Sequence, residues 1–232
     1  MSPAANATLL PELALAAETG ARRIAGIDEV GRGALAGPVT VGVVVIDLTM
    51  LGDEELSPTT GVWPPLEGVR DSKLLSAQAR RRWQPAICEQ VRAFSVQHSP
   101  AEQIDAVGIT AAMGAAGRSG LEAVQGQLAA AGSPGVDLVL LDGVHDWLRA
   151  GIPVRTMAKA DTMALSVACA SVLAKVERDS LMIQLAGEHP EFGWDSNKGY
   201  GSAAHREAIR SSGPSPYHRR SWNLGSEPLP GL

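Results

Sequence analysis

A chain of 232 residues with 45% hydrophobic and 19% charged residues carries enough apolar material for one well-packed domain, which excludes general disorder. A formal charge of −5 excludes a protein that coats nucleic acid through bulk electrostatics, while leaving room for a local basic groove. Aromatics are only 4%, so Ala, Val and Leu must fill the core, which favours close helix–sheet packing. Cys88 and Cys169 form no C-x-x-C and are expected to be reduced, buried thiols of a cytoplasmic protein. No apolar run reaches membrane-spanning length, so no membrane partner is expected. The patch at Leu9 to Ala17 lacks a basic leader and carries Glu12, so it is not expected to be a secretory signal.

In chain order, residues 1–20 read as a loosely held tail or a short helix. Arg23 to Glu29 and Val39 to Asp47 are apolar strands, close enough in sequence to pair antiparallel. Thr49 to Val69 is rich in Pro, Gly and acids without a clear period and reads as a surface loop. Ser76 to Gln90 has a helical period, with Ser76 as N-cap and Pro85 expected to kink it. Val91 to Gln97 alternates as a third strand, and Pro100 to Ile104 and Thr110 to Ala131 read as helices. Asp137 to Asp142 is the continuous apolar run of a strand buried on both faces, followed by another strand at Ile152 to Met157. Asp161 is expected to cap a long helix reaching about Gly187, on which Ser171 and Lys175 read as structural and Asp179 as an ion-pair partner. His189 to Tyr200 reads as an irregular loop, Ser202 to Ser212 as a helix, and Gly213 to Leu232 as a largely extended tail. Strands paired early, then strands separated by helices, imply a mixed α/β sheet flanked by helices. The expected organisation is a domain over 21–224 between flexible tails at 1–20 and 225–232.

Two adjacent acids, Asp28 and Glu29, end the first strand just ahead of glycines at 31, 33 and 37. A regular strand sends neighbouring side chains to opposite faces, so Gly31 is expected to supply the break that brings both carboxylates to one site. Gly31-Arg32-Gly33 offers unshielded backbone amides around a guanidinium, which suits close approach to a sugar–phosphate backbone. Asp142 ends a buried strand before Gly143, and Asp161 stands at a strand-to-helix junction, where α/β proteins place ligand-facing residues. Singly, these acids are explained as a turn residue, a cap and ordinary hairpin acids. Together they give four carboxylates at neighbouring sheet ends. Two unit charges about 4 Å apart repel by about 4 kcal/mol at an effective dielectric of about 20, so the cluster needs raised pKa values or bound cations. Oxygen ligands without His or Cys select Mg²⁺ or Mn²⁺, and paired ions of this kind serve phosphoryl displacement. The chemistry points to a phosphodiesterase.

The segments I-D-E-V-G-R-G-A-L-A-G-P-V, D-S-K-L-L, L-L-D-G, A-D-T-M-A-L-S-V-A-C-A-S-V-L-A-K-V-E-R-D and N-K-G-Y-G-S-A-A-H occur in this order. They closely resemble type 2 ribonuclease H (ribonuclease HII), over about Arg23 to Asn223. The resemblance implies a ribonuclease H-like mixed five-stranded sheet flanked by helices, with a helical C-terminal segment. It implies that Asp28, Glu29, Asp142 and Asp161 are the catalytic, metal-binding acids, with Mg²⁺ or Mn²⁺ as cofactor. Members of that family hydrolyse the RNA strand of RNA–DNA hybrids and nick 5′ of ribonucleotides embedded in duplex DNA, leaving 3′-hydroxyl and 5′-phosphate ends. By the same resemblance Gly31, Arg32 and Gly33 contact the 2′-hydroxyl, Lys73 holds a phosphate, and Tyr200 stacks on the deoxyribose that follows the ribonucleotide. The expected partners are RNA–DNA hybrid and ribonucleotide-containing duplex DNA, bound by a monomer. Ala34 stands where Pro is common, Ala160 where Gly is usual, and Trp194 and Trp222 where Phe is frequent; none of these removes an acid. Lys198, His205, Arg206, Arg219 and Arg220 enrich the last third in cations, but Glu188, Glu191, Asp195 and Glu207 offset them, so modest phosphate contact is expected. A non-catalytic hybrid-binding module would have lost an acid. A small-molecule phosphatase would leave the Gly-Arg-Gly turn and the Lys-Gly-Tyr loop without a purpose.

Overall fold

Strand β1 (Arg23–Val30) pairs antiparallel with β2 (Val39–Asp47), Arg23 opposite Asp47 and Asp28 opposite Gly42. In the computed structural model, which describes residues 6–52, 56–57 and 59–224, β2 also pairs antiparallel with β3 (Ala93–Ser99). On the other side, β4 (Leu138–Asp142) lies parallel to β1, and β5 (Val154–Met157) parallel to β4. The sheet order is therefore β3-β2-β1-β4-β5, the mixed five-stranded sheet expected. Parallel β1 and β4 put the C-terminal ends of the two central strands, and with them Asp28, Glu29 and Asp142, at one edge of the sheet.

Helices cover both faces. On one, α4 (Ile109–Ala130) packs Met113, Leu121 and Val124 against Ile27, Val41 and Val43. On the other lie α2 (Ala77–Gln90) and the long α6 (Leu165–Glu188), which buries every residue from Leu165 to Ala174. A helix apolar and small all round is one packed from all sides. Its closeness to the sheet rests on two glycines. A Cβ on Gly26 would come within 2.3 Å of the Ser166 backbone, and one on Gly42 within 2.3 Å of the Ala170 carbonyl oxygen. The shorter α3 (Ala101–Val107) precedes α4, α5 (Ala160–Met163) precedes α6, and α7 (Trp194–Asn197) and α8 (Ala203–Ser212) follow it.

Several local expectations change. Leu10–Thr19 is a helix, α1, docked rather than loosely held, with Ala7, Leu9 and Glu12 buried. Asp161 does not cap the long helix: it lies within α5, and Ala164 occupies the cap position of α6 without a side-chain bond. The cap is supplied from elsewhere in the chain, since Glu12 Oε1 accepts from the Ser166 backbone N–H at 2.8 Å and from its hydroxyl at 2.6 Å. The 49–69 segment is more than a surface loop, because Trp63, Leu66 and Val69 are buried against α6 residues. Helix α2 runs unbroken through Pro85, with Ser76 Oγ accepting from Ala79 N at 3.1 Å as its cap. Residues 213–224 are folded onto the body, burying Ser215, His218 and Arg219; the expected tail at 225–232 lies outside the described residues. Both cysteines are free thiols, Cys169 buried and Cys88 half-buried.

Burial raises the Glu12 carboxyl from 4.5 to about 7, outweighing the two bonds from Ser166, and its second oxygen has no partner. The folded chain therefore holds this proton more tightly than the unfolded one. The associated stability is full below about pH 4.5 and is lost as pH rises through about 7. At about 1.4 kcal/mol per pH unit, the wild type is expected to lose up to about 3 kcal/mol relative to Glu12→Gln between pH 4.5 and 7. Urea unfolding across that range checks this, and parallel pH profiles for the two proteins would refute it.

Candidate active site

The β1–β2 ladder stays regular to Val30, opposite Thr40, so Asp28 and Glu29 leave β1 on opposite sides. Gly31, at φ 86°, breaks the chain only after both acids, and the expected break is therefore not what unites them. The joining group is Asp142 at the end of the neighbouring β4, whose charge raises both Asp28 and Glu29. Asp28 is buried; desolvation and then the Glu29, Asp142 and Asp161 charges hold its carboxyl well above the usual range, against a hydrogen bond from Ser171. Burial likewise raises Glu29, partly offset by Arg32, whose Nη1 lies 3.5 Å from Glu29 Oε1. Asp142 is raised by burial and then by Asp161, while its Oδ1 accepts from the Ala160 N–H at 2.7 Å. The Ala160 methyl, where Gly is usual, packs with Leu140 and Val167, leaving that amide directed at the acid.

Lys73 is the local countercharge. Its Nζ stands 3.2 Å from Asp161 Oδ2 and 3.7 Å from Asp71 Oδ1. Burial opposes its charge, yet Asp28, Asp71 and Asp161 more than offset this and raise its pKa. Ser171, read from sequence as structural, also belongs here: its hydroxyl is 2.9 Å from that of Ser72, beside Asp28. Among the described residues no three acids already form a closed cation cage. The donor set nevertheless fits a hard divalent cation, being all oxygen, with three carboxylates raised by burial and mutual repulsion. Asp28 Oδ2 is buried without a hydrogen-bond partner, an acceptor left open at the centre of the cluster.

Beside the acids, two loops are tied into one unit. The Gly199 carbonyl accepts from the Leu35 N–H at 2.8 Å and the Ala36 N–H at 3.2 Å, joining the Lys198-Gly199-Tyr200 loop to the turn after β1. Gly31 is buried, whereas Arg32 and Gly33 are exposed, and a Cβ on Gly33 would meet nothing within 4 Å. Tyr200 presents an exposed ring 5.5 Å from the Arg178 guanidinium, and its carbonyl meets His205 Nδ1 at 2.9 Å. His205 Nε2 accepts from Trp194 Nε1 at 3.0 Å, so Trp194 and His205 anchor the loop from below.

Arg178 and Arg219 are fully buried beneath these loops. Of the five cations expected to enrich the last third for phosphate contact, Arg219 and His205 are buried, which leaves Lys198, Arg206 and Arg220 at least partly exposed. Sequence reasoning passed over Arg178, although a signal existed. Ser171, Arg178 and Met182 fall at i, i+7 and i+11 on one otherwise buried stripe of α6, where a cation is out of place.

The charge balance is testable without substrate. Lys73→Met removes a cation from among four acids, and a solvent-open pair contributes at most about 1 kcal/mol. In metal-free buffer at pH 8 its Tm is expected to fall by about 2–4 °C, with Mg²⁺ restoring part of the loss. An unchanged Tm in chelator would mean that Lys73 does not balance the acids.

The family model described as ribonuclease HII matches residues 25–224. A ribonuclease HII of Streptomyces avermitilis is 43% identical over 211 residues, covering 91% of this chain and 81% of the relative. Among solved structures, the ribonuclease H2 of Pyrococcus horikoshii OT3 superposes with a TM-score of 0.63 at 25% identity, covering 87% of this chain and 94% of that one. Bst-RNase HIII, solved in complex with Mn²⁺, gives 0.66 at 23% identity over 91% of this chain and 70% of its own, a likeness of fold alone. The family model spans all four acids and both loops, and the chain belongs to the ribonuclease HII family.

Proposed function

We propose that this protein is a metal-dependent endoribonuclease that hydrolyses the RNA strand of RNA–DNA hybrids and nicks 5′ of ribonucleotides embedded in duplex DNA. The products carry 3′-hydroxyl and 5′-phosphate ends. One observation carries this reading: the buried Asp28 carboxyl lies within the charges of Glu29, Asp142 and Asp161 at the sheet edge, directly after which the chain enters the exposed Arg32-Gly33 turn. Asp28, Glu29, Asp142 and Asp161 would hold Mg²⁺ or Mn²⁺, which when bound polarises the scissile phosphate and stabilises the developing charge. Arg32 and Gly33 approach the sugar through backbone, Tyr200 offers a flat face to the next sugar, and Lys73 stands ready to exchange Asp161 for a phosphate oxygen. Such sugar contact is how a protein tells RNA from DNA. A non-catalytic hybrid-binding module would have no use for four acids held against their own repulsion. We place the protein in the cytoplasm as a monomer; among the described residues no helix is long and apolar enough to cross a membrane.

Incubation with Mg²⁺ or Mn²⁺ and a duplex carrying one ribonucleotide tests the activity directly. Asp142→Asn keeps size and the bond from Ala160 but removes a charge from the centre of the cluster. It is expected to nearly abolish cleavage while raising Tm slightly in metal-free buffer. Activity within tenfold of wild type at saturating Mg²⁺ would remove Asp142 from the metal site.

Tyr200→Ala tests substrate reading. Base–aromatic stacking is worth roughly 1–3 kcal/mol, and stacking on a sugar belongs near the lower end, so kcat/KM on the single-ribonucleotide duplex is expected to fall about tenfold. A continuous hybrid, with a 2′-hydroxyl at the next sugar, should lose less. Equal losses on the two substrates would make Tyr200 a loop support only.

A further inference from the structure

The Arg219 guanidinium is buried without a carboxylate partner among the described residues and donates to backbone carbonyls instead. Nη2 reaches Gly31 O at 2.7 Å, Nη1 reaches Arg32 O at 2.8 Å, and Nε reaches Gly37 O at 3.3 Å. In a trans peptide the C=O and the following N–H point in opposite directions. Turning the Gly31 and Arg32 carbonyls inward therefore turns the Arg32 and Gly33 N–H groups outward, into the exposed turn. Among the described residues neither of these amides donates a hydrogen bond. Arg178 completes the arrangement: Nε donates to Pro38 O at 2.9 Å, Nη2 to Ala36 O at 3.1 Å and Nη1 to Lys198 O at 2.8 Å. It lies under both loops, against Gly31, whose Cβ would come within 2.1 Å of its Nε, and against the Tyr200 ring.

We propose that Arg219 is a positioning residue that aims the Arg32 and Gly33 amides at the ribonucleotide, and that Arg178 fixes the spacing between those amides and Tyr200. This rests on the proposed function. The planar fork is the essential property, since Nη2, Nη1 and Nε hold three carbonyls at once in a fixed spacing that the single nitrogen of an ammonium does not reproduce. Two buried cations at such close quarters are costly: burial and the neighbouring Arg178 lower the Arg219 pKa to about 9. A loop needing support alone could be packed with apolar side chains. Positive charge beneath a turn with free amides suits a surface that meets phosphodiesters.

The test compares Arg219→Lys with Arg219→Gln on the single-ribonucleotide duplex. If the fork aims the amides, Lys does not rescue: both variants lose at least thirtyfold in kcat/KM, chiefly in kcat, with Mg²⁺-dependent Tm shifts like the wild type. Lys within threefold of wild type would overturn the proposal. Arg178→Lys is expected to act through Tyr200, so that adding Tyr200→Ala costs less than threefold more; full multiplicative losses would overturn that part. Should the Arg219 variants fail to fold, amide exchange in Asp142→Asn decides. The Arg32 and Gly33 amides should be protected at least tenfold more by the ribonucleotide duplex than by the same duplex in all-DNA form, and equal protection overturns the proposal. A wild type that leaves the ribonucleotide duplex uncut with either metal would instead overturn the proposed function.

Discussion

The structure depends on how closely α6 lies on β1 and β2. Gly26 and Gly42 allow the helix backbone into contact with the sheet, so that the helix lies directly against Asp28 and the turn that follows β1. Its Ser171 stands beside Asp28, its Arg178 lies against Gly31, and its Met182 fills the space at Gly37. A helix displaced by one side-chain layer would separate the acid cluster from the loops beside it. The same closeness explains the small residues along Ser166 to Ala174, because bulk on that face would work against the two glycines.

Charge is distributed unusually along this framework. At the strand ends, carboxylates repel one another in partial burial and are raised, with Lys73 as the nearest cation. One loop away, Arg178 and Arg219 are buried without ion-pair partners among the described residues and are satisfied by carbonyls. Each arrangement is unfavourable alone in a low-dielectric interior. Together they make an edge that combines acids suited to a hard cation with amides and cations suited to a phosphodiester, and apolar packing elsewhere must offset the strain. That is the usual relation between a stable core and a site that departs from it.

The N-terminal helix belongs to the same system. Glu12 caps α6 in place of the local residue expected to do so, linking the start of the chain to the helix that carries Ser171 and Arg178. Its carboxyl sits where the helix dipole favours negative charge, yet burial raises its pKa to about 7, so its proton is lost only as pH rises through neutrality.

The sequence by itself determined the strands and the longer helices and pointed to the four acids, because these depend on local pattern: apolar period, turn residues at fixed offsets, and acids at element ends. Asp28, Glu29 and Asp142 were legible together since parallel neighbours bring strand ends to one edge, whereas Asp161 was legible from its strand-to-helix junction. Only the tertiary structure decided that Asp142, rather than a break at Gly31, joins Asp28 to Glu29, because that depends on which strand lies beside β1. Only it showed Glu12 capping a helix more than 150 residues away, a bond no local pattern encodes. Arg219 counts in the sequence among the cations available for phosphate, and Arg178 draws no notice there, because residue type alone favours exposure. Burial reverses that where many backbone carbonyls converge, and such convergence exists only once loops distant in sequence have met.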